Sequence, residues 1–397
     1  MLTDPNDTFA HAKTLLPQLS AWRRSLHQHP ELGFEEYETA RLVARELQAL
    51  GIEFSAGIGK TGIVADIHSG KPGKVIALRA DMDALPIHEA TSNDADYRSQ
   101  VAGKMHACGH DAHTAMLIGT AALFAKYPPT QGGVRFIFQP CEETKDANGD
   151  SGGKLMAAAG AATGVDAVLA LHVTPIQPAG VVSYDPAVSA SVDNFECVLT
   201  GAGGHVSMPH RTVDLSMVLG QVLNAIYSLV PRNIDPMQAA TLTVGAVHGG
   251  DTHNVIPSEY RLVGTLRTRS SEARDRALQA IGQVVSIAQA IGAGCTWRWL
   301  PGALPVAMND EAILGTMLAS AQAMLGAGCV GGADELGLGG EDFSFFAKAA
   351  PIAMLYLGTK MPHGDHGDWH TPTFDIDETA MPIGTAILYD SVARLLG

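Results

Sequence analysis

VRFIFQPCEE, residues 134–143, is an apolar run that stops at a proline and then presents two adjacent carboxylates. A short stretch rich in Val, Ile and Phe with such a break behind it reads as a buried strand. Two similar runs precede it, GIVADI (62–67) and KVIALRAD (74–81), and AVLALHV (167–173) follows. Helical patterns lie between them, an alanine-rich one from about 111 to 126 and another near 153 to 161. Strands alternating with helices imply an α/β fold: a mixed, largely parallel sheet with flanking helices. In such sheets functional groups collect where strands end. Here the polar clusters fall there, with Asp81 and Asp83 after KVIALRA, Glu142 and Glu143 after FQPC, and His172 at the end of AVLALHV.

Upstream, residues 7–50 carry apolar positions at helical spacing and predict two helices, the second ended by Gly51. From about residue 187 the order changes to strand, helix, strand, strand, helix, strand, which is the split βαβ arrangement of ferredoxin-like domains. The reading is therefore a catalytic domain over 1–186 and 298–397, interrupted by an inserted α+β domain over 187–297. A chain of 397 residues exceeds what one hydrophobic core normally serves, and 46% apolar residues can fill two.

The formal charge of −15 has no basic patch to offset it, which excludes nucleic acid and anionic membrane as expected partners. Five widely spaced cysteines without a CxxC argue against a disulfide framework and fit a reducing compartment. The first residues have acids and a proline where a signal peptide needs basic and then apolar residues, and no stretch approaches ~18 uninterrupted apolar residues. The expectation is a cytoplasmic protein.

HACGHDAHTA (106–115) crowds Cys108, His106, His110, His113 and Asp111 into one loop. A catalytic metal site needs at least three N, O or S ligands, and a two-metal site about twice that with one ligand bridging. Cys108 and His110 offer two of them, with Gly109 allowing the loop to turn, and His172, Glu142-Glu143 and HGDHGDWH (363–370) can supply the rest. Adjacent glutamates can divide two incompatible tasks, firm ligand and mobile proton carrier. His363 and His366 compete with His370, and His106 and His113 can equally support the loop.

Together RRSLHQHPELGFEE (23–36), RADMDALP (79–86), HACGHDAHTA, FQPCEE, GGHVSMPH (203–210), NVIPSEYRLVGTLRT (254–268), GGEDFSFF (339–346) and WHTPTFDIDE (369–378) closely resemble the dinuclear metallo-aminoacylase and carboxypeptidase family. The match is narrower with its amidohydrolase branch, which includes hippurate hydrolase and hydrolases of indoleacetyl-amino acids. The resemblance implies that Cys108, His110, Glu143, His172 and His370 hold two divalent metals, with Cys108 as the bridge, and that Glu142 is the general base. Where the carboxypeptidase branch has an HxD motif this chain has Arg79-Ala80-Asp81, so His110 replaces that ligand and Asp83 takes an orienting role. The thiolate leans toward Zn²⁺, while Mn²⁺, Co²⁺ and Ni²⁺ accept the same donors.

For the inserted domain the resemblance implies a lid that also dimerises. His205 would donate to the oxyanion in the partner subunit of a homodimer or higher oligomer, and Asn254 and Arg267 would recognise substrate. The implied activity is hydrolysis of N-acyl amino acids or similar small conjugates by a metal-activated water. A carboxypeptidase or dipeptidase with the same metals is the alternative, and a non-catalytic metal-binding protein a further one. The loop TKDANGDSGGKLM (144–156) is longer and more charged than the family's usual glycine-rich turn, so substrate preference follows least directly from the likeness.

Overall fold

The computed structural model describes residues 1–94, 96–331, 337–364 and 366–397. Parts of VGGADELGLGGEDF (330–343) and of HGDHGDWH lie outside them. The chain separates into two compact units, one of residues 1–188 with 308–336 and 342–397, the other of 189–307 with 337–341.

Among the described residues the first unit holds a seven-stranded sheet. Its spatial order is Phe54–Ile58, Gly62–His68, Gly133–Gln139, Val75–Asp81, Ala167–Pro178, Ile352–Lys360 and Val182–Ser183. The four strands from Gly133–Gln139 to Ile352–Lys360 pair in parallel, and the outer pairings are antiparallel. The mixed, largely parallel sheet read from the sequence is thus the one that forms. Its central strands are buried on both faces, which is why they read as continuous apolar runs and not as alternating ones.

The helix His110–Lys126 packs against Leu16–Gln28, Tyr37–Ala49, Met381–Leu396 and the strand Val75–Asp81. Buried nearly all round, it needs no polar face and reads as alanine-rich for that reason. Gly119 lets it approach its neighbour, since a Cβ there would stand 2.6 Å from Leu19 Cδ2. At the N-terminus the two expected helices are three, Pro5–Thr14, Leu16–Gln28 and Tyr37–Ala49. Pro17 accounts for the extra break, because it has no N–H to continue the first helix and its ring crowds the carbonyl four residues back, whereas in the first turn of a new helix both are tolerated.

The second unit has the expected element order, and its strands lie in the spatial order Ala240–His248, Glu259–Thr268, Ser191–Thr200, Gly294–Trp299, all neighbours antiparallel. This is the ferredoxin-like sheet. Helices Leu215–Asn233 and Ser271–Ala290 bury one face of it through Phe195, Cys197, Leu199, Leu262 and Leu266. Residues 298–307 and 337–341 belong to this unit because Leu304 exchanges backbone hydrogen bonds with Val192, and Ala190 N–H donates to the Gly339 carbonyl. No helix among the described residues is long and apolar enough to cross a membrane.

Candidate metal centre

The ends of Val75–Asp81 and Gly133–Gln139, the middle of Ala167–Pro178 and two loops of the first unit converge on one cluster. Gly109, at φ 93°, begins the helix His110–Lys126, and a Cβ at this position would fall 2.2 Å from Val173 Cγ2. Only glycine lets the Cys108–His110 loop lie this close to the strand Ala167–Pro178, which runs on past His172 and so carries it mid-strand and not at the end that the sequence suggests. Cys108 Sγ is then 3.5 Å from His172 Nε2.

Both histidines are oriented by backbone carbonyls. His110 Nδ1 donates to Asp83 O at 2.9 Å, and His172 Nδ1 donates to Val173 O at 2.7 Å. A carbonyl only accepts, so each Nδ1 carries hydrogen and each Nε2 faces the cluster. Donor atoms of Cys108, His110 and His172 lie within 4.8 Å of one another, as do those of Cys108, Glu143 and His370, and those of His110, Glu142 and Glu143. Cys108 is common to two of these groups. His110 Nε2 and Glu143 Oε1 are buried without a hydrogen-bond partner. Glu143 Oε1 lies 3.2 Å from His370 Nε2, outside hydrogen-bonding angles.

Around His110 and Cys108 the electrostatics favour positive charge, and at His172 burial opposes it. Burial works to lower the His110 pKa, but Asp81, Asp83 and Glu143 outweigh it and carry it up to about 10. Burial, then Glu143, Glu142 and Asp81, hold the Cys108 thiol well above its usual range. Burial holds His172 well below its ordinary value. A thiol, two carboxylates and imidazole nitrogens gathered in one cluster, with His110 Nε2 and Glu143 Oε1 left unsatisfied, fit divalent cations of the zinc type, which displace the protons these groups would otherwise hold.

The two glutamates are aimed by the backbone. Cys141 has φ 48°, a left-handed conformation that costs a non-glycine residue, and it turns the chain after the strand. Asp83 then accepts the Glu142 and Glu143 N–H groups, one on each carboxylate oxygen, both at 3.0 Å. Glu36 Oε1 accepts the Cys141 N–H at 2.8 Å. His370 is a second left-handed residue, φ 61°, and its N–H donates to the Ala107 carbonyl at 2.8 Å.

Several neighbours could not be assigned from sequence. Asp81 and His113 also lie near His110, but the chain uses them itself. His113 Nδ1 is 2.6 Å from Asp81 Oδ1, and its Nε2 accepts the Val173 N–H at 2.9 Å, bracing the peptide beside His172. Arg79 donates to Asp81 Oδ2 at 2.7 Å. Asp342 accepts from Gly153 N–H and Gln139 Nε2, both at 2.7 Å. His106 is buried with neither ring nitrogen bonded, and burial lowers its pKa to about 4. The signal available was polar residues, Arg79, Asp81 and Gln139, inside or ending otherwise apolar runs; the strand register sets Asp81 opposite Gln139.

In the second unit Val255 faces His205 on a small ladder, and the Val206 N–H beyond it donates to the Asn254 carbonyl at 3.4 Å. The Ser207 N–H donates to His205 Nδ1 at 3.1 Å, which leaves the ring hydrogen on the exposed Nε2. Arg267 donates to the Leu338 carbonyl at 2.8 Å.

The sequence model of peptidase family M20/M25/M40 matches residues 77–394. N-acetyl-L-cysteine deacetylase of Bacillus subtilis is 40% identical over 389 residues, covering 96% of this chain and 89% of that protein. Thermostable carboxypeptidase 2 of Saccharolobus solfataricus is 38% identical over 370 residues, 91% of each. A crystal structure described as a dinuclear metal binding peptidase of the M20 family from Bacillus subtilis superposes with a TM-score of 0.81 at 33% identity, covering 97% of this chain and 99% of that one.

Proposed function

This chain belongs to peptidase family M20/M25/M40, and from that premise we propose that it is a metal-dependent amidohydrolase that releases an amino acid from its N-acyl conjugate. The observation that carries the reading is the convergence of Cys108, His110, Glu143, His172 and His370, with His110 Nε2 and Glu143 Oε1 unanswered by the chain. These five side chains would hold two divalent ions, Zn²⁺ foremost because of the thiolate, with Mn²⁺, Co²⁺ or Ni²⁺ as substitutes. When bound, such ions supply Lewis acidity to a water and to the scissile carbonyl.

The chain's own part is proton handling and alignment. Glu142 takes a proton from the attacking water and returns it to the leaving amine nitrogen as the carbon–nitrogen bond breaks. Asp83 fixes the peptides of Glu142 and Glu143 through their N–H groups, so both side chains start from set positions beside the cluster. The second unit acts as lid and dimerisation domain. His205, with its hydrogen on Nε2, is assigned as oxyanion donor to the partner subunit of a homodimer, and Asn254 and Arg267 as groups that recognise the substrate's polar end.

The test is a hydrolysis screen of N-acetyl and N-benzoyl amino acids and free dipeptides, comparing metal-reconstituted with chelator-treated protein. Metal-dependent release from N-acyl amino acids is expected. Turnover confined to dipeptides would move the assignment to a carboxypeptidase or dipeptidase, the reading that the Saccharolobus relative supports. Two ions bound with no turnover of any amide would reject catalysis.

A further inference from the structure

Cys197 and Cys295 stand on adjacent antiparallel strands of the second unit, Ser191–Thr200 and Gly294–Trp299. The register sets Cys197 opposite Trp297 and Cys295 opposite Leu199. Residues two apart on facing strands share a face, so the cysteines are diagonal neighbours on the side that carries the stacked Phe195 and Trp297 rings. Their sulfurs are 3.7 Å apart and both thiols are free. Cys197 is fully buried, whereas Cys295 is partly exposed.

We propose that Cys197 and Cys295 form a reversible dithiol–disulfide pair that takes a small-molecule disulfide as its oxidant. Cys295 reacts first, because it is the one of the two that solvent reaches, and the Cys197 thiol hydrogen-bonds to it and holds its pKa below that of an ordinary thiol. Its thiolate attacks one sulfur of the oxidant and expels one thiolate. Cys197 then gives up its proton, attacks the Cys295 sulfur and expels the second. The protein loses two hydrogens, and the oxidant gains both as two thiols.

Closing the bond draws the sulfurs to roughly 2.0 Å, a small movement for two side chains already aimed at each other. The diagonal placement on paired strands leaves strain in the product, which keeps it reducible. Its mechanical effect is definite. Gly294–Trp299 is an edge strand of the four-stranded sheet among the described residues, and the bond fastens it to its sheet neighbour Ser191–Thr200, closing a loop that spans most of the unit.

The experiment uses the full-length protein with its metals retained, titrated with glutathione disulfide and digested without reductant. The expected product has lost two hydrogens, joins the peptides that contain Cys197 and Cys295, reverts with dithiothreitol, and melts several degrees higher. Fluorescence of Trp297, opposite Cys197, should fall on oxidation, and Trp297→Phe should lose that signal. Cys295→Ser should abolish the link and the melting shift, and Cys197→Ala should stop at a stable glutathione adduct on Cys295. If Cys197→Ala does not fold, Cys295→Ser and the peptide map still decide. A glutathione adduct persisting on wild-type Cys295, a link from either residue to Cys108, Cys141 or Cys329, or an unchanged mass at full excess of oxidant would overturn the proposal.

Discussion

Two buried polar assemblies meet in the first turn of the helix His110–Lys126 and are answered in opposite ways. Around Arg23 the chain supplies every counterpart: its guanidinium reaches Asp111 and Asp375 at 2.9 Å each and Glu378 at 3.3 Å. His27 Nδ1 is 2.8 Å from Asp111, and the Tyr97 hydroxyl donates to Asp375 at 2.7 Å. One residue before Asp111, His110 turns an Nε2 into a cluster where no protein group bonds to it. Buried polar groups are costly unless satisfied, so a network closed within the chain holds the fold, whereas one left open marks where something from outside belongs. Arg23 also joins the two segments around the cluster, since Asp111 follows His110 and Asp375 follows His370.

The largest effect that sharpens this contrast is at Glu142. Glu142→Gln should lower kcat by about 10²–10⁴-fold while metal content by elemental analysis stays unchanged; a fall in both would place Glu142 among the ligands. Next, Arg23→Met strands three carboxylates in a closed network and should cost about 3–5 kcal/mol in denaturant unfolding. A cost near zero would break the claim that this assembly is structural.

Asp83→Asn comes third. It keeps the size but weakens the acceptor for two N–H groups, and should lose about 10–100-fold in metal affinity by competition with a chelator, with little change in unfolding of the metal-free protein. The smallest effects are in pH. Burial tends to raise the Asp111 and Asp375 pKa values, but Arg23 outweighs it and leaves both lowered. Their stabilisation is present above the unfolded carboxylate value and is lost as pH falls through the lower folded one, so the gap between wild type and Arg23→Met should narrow below about pH 4. Glu36 is the reverse case, with burial and then Asp83 raising it to about 7. Its contribution is full below the unfolded value and lost as pH rises through 7, so metal-free Glu36→Gln should show a flatter stability profile between about pH 5 and 8.

Much of this was readable because the relevant period is local. VRFIFQ, KVIALRA and AVLALHV announce strands by composition, and Glu142, Glu143 and His172 are found by looking where those runs stop. Cys108 and His110 are neighbours in sequence, and the strand–helix order of the second unit is visible without coordinates. What was not legible depends on long-range pairing. Nothing near Arg23 reveals Asp111, which is 88 residues away, or Asp375, 352 away. The pairing of Cys197 with Cys295 requires strand register, and the place of residues 337–341 in the second unit rests on a backbone bond to Ala190. The sequence leaves His113 open between supporting the loop and touching a metal. Only the coordinates show that the Val173 N–H already occupies its free nitrogen.

The doubly engaged Asp83 has a thermodynamic consequence. Because both its oxygens grip peptide N–H groups, the freedom of the segment bearing Glu142 and Glu143 is surrendered during folding. Little ordering then remains to oppose ion capture, so affinity can reflect the strength of the coordinate bonds themselves. Such an arrangement should load quickly and discriminate among ions by radius and softness, since the cage has little slack with which to adjust to the wrong one.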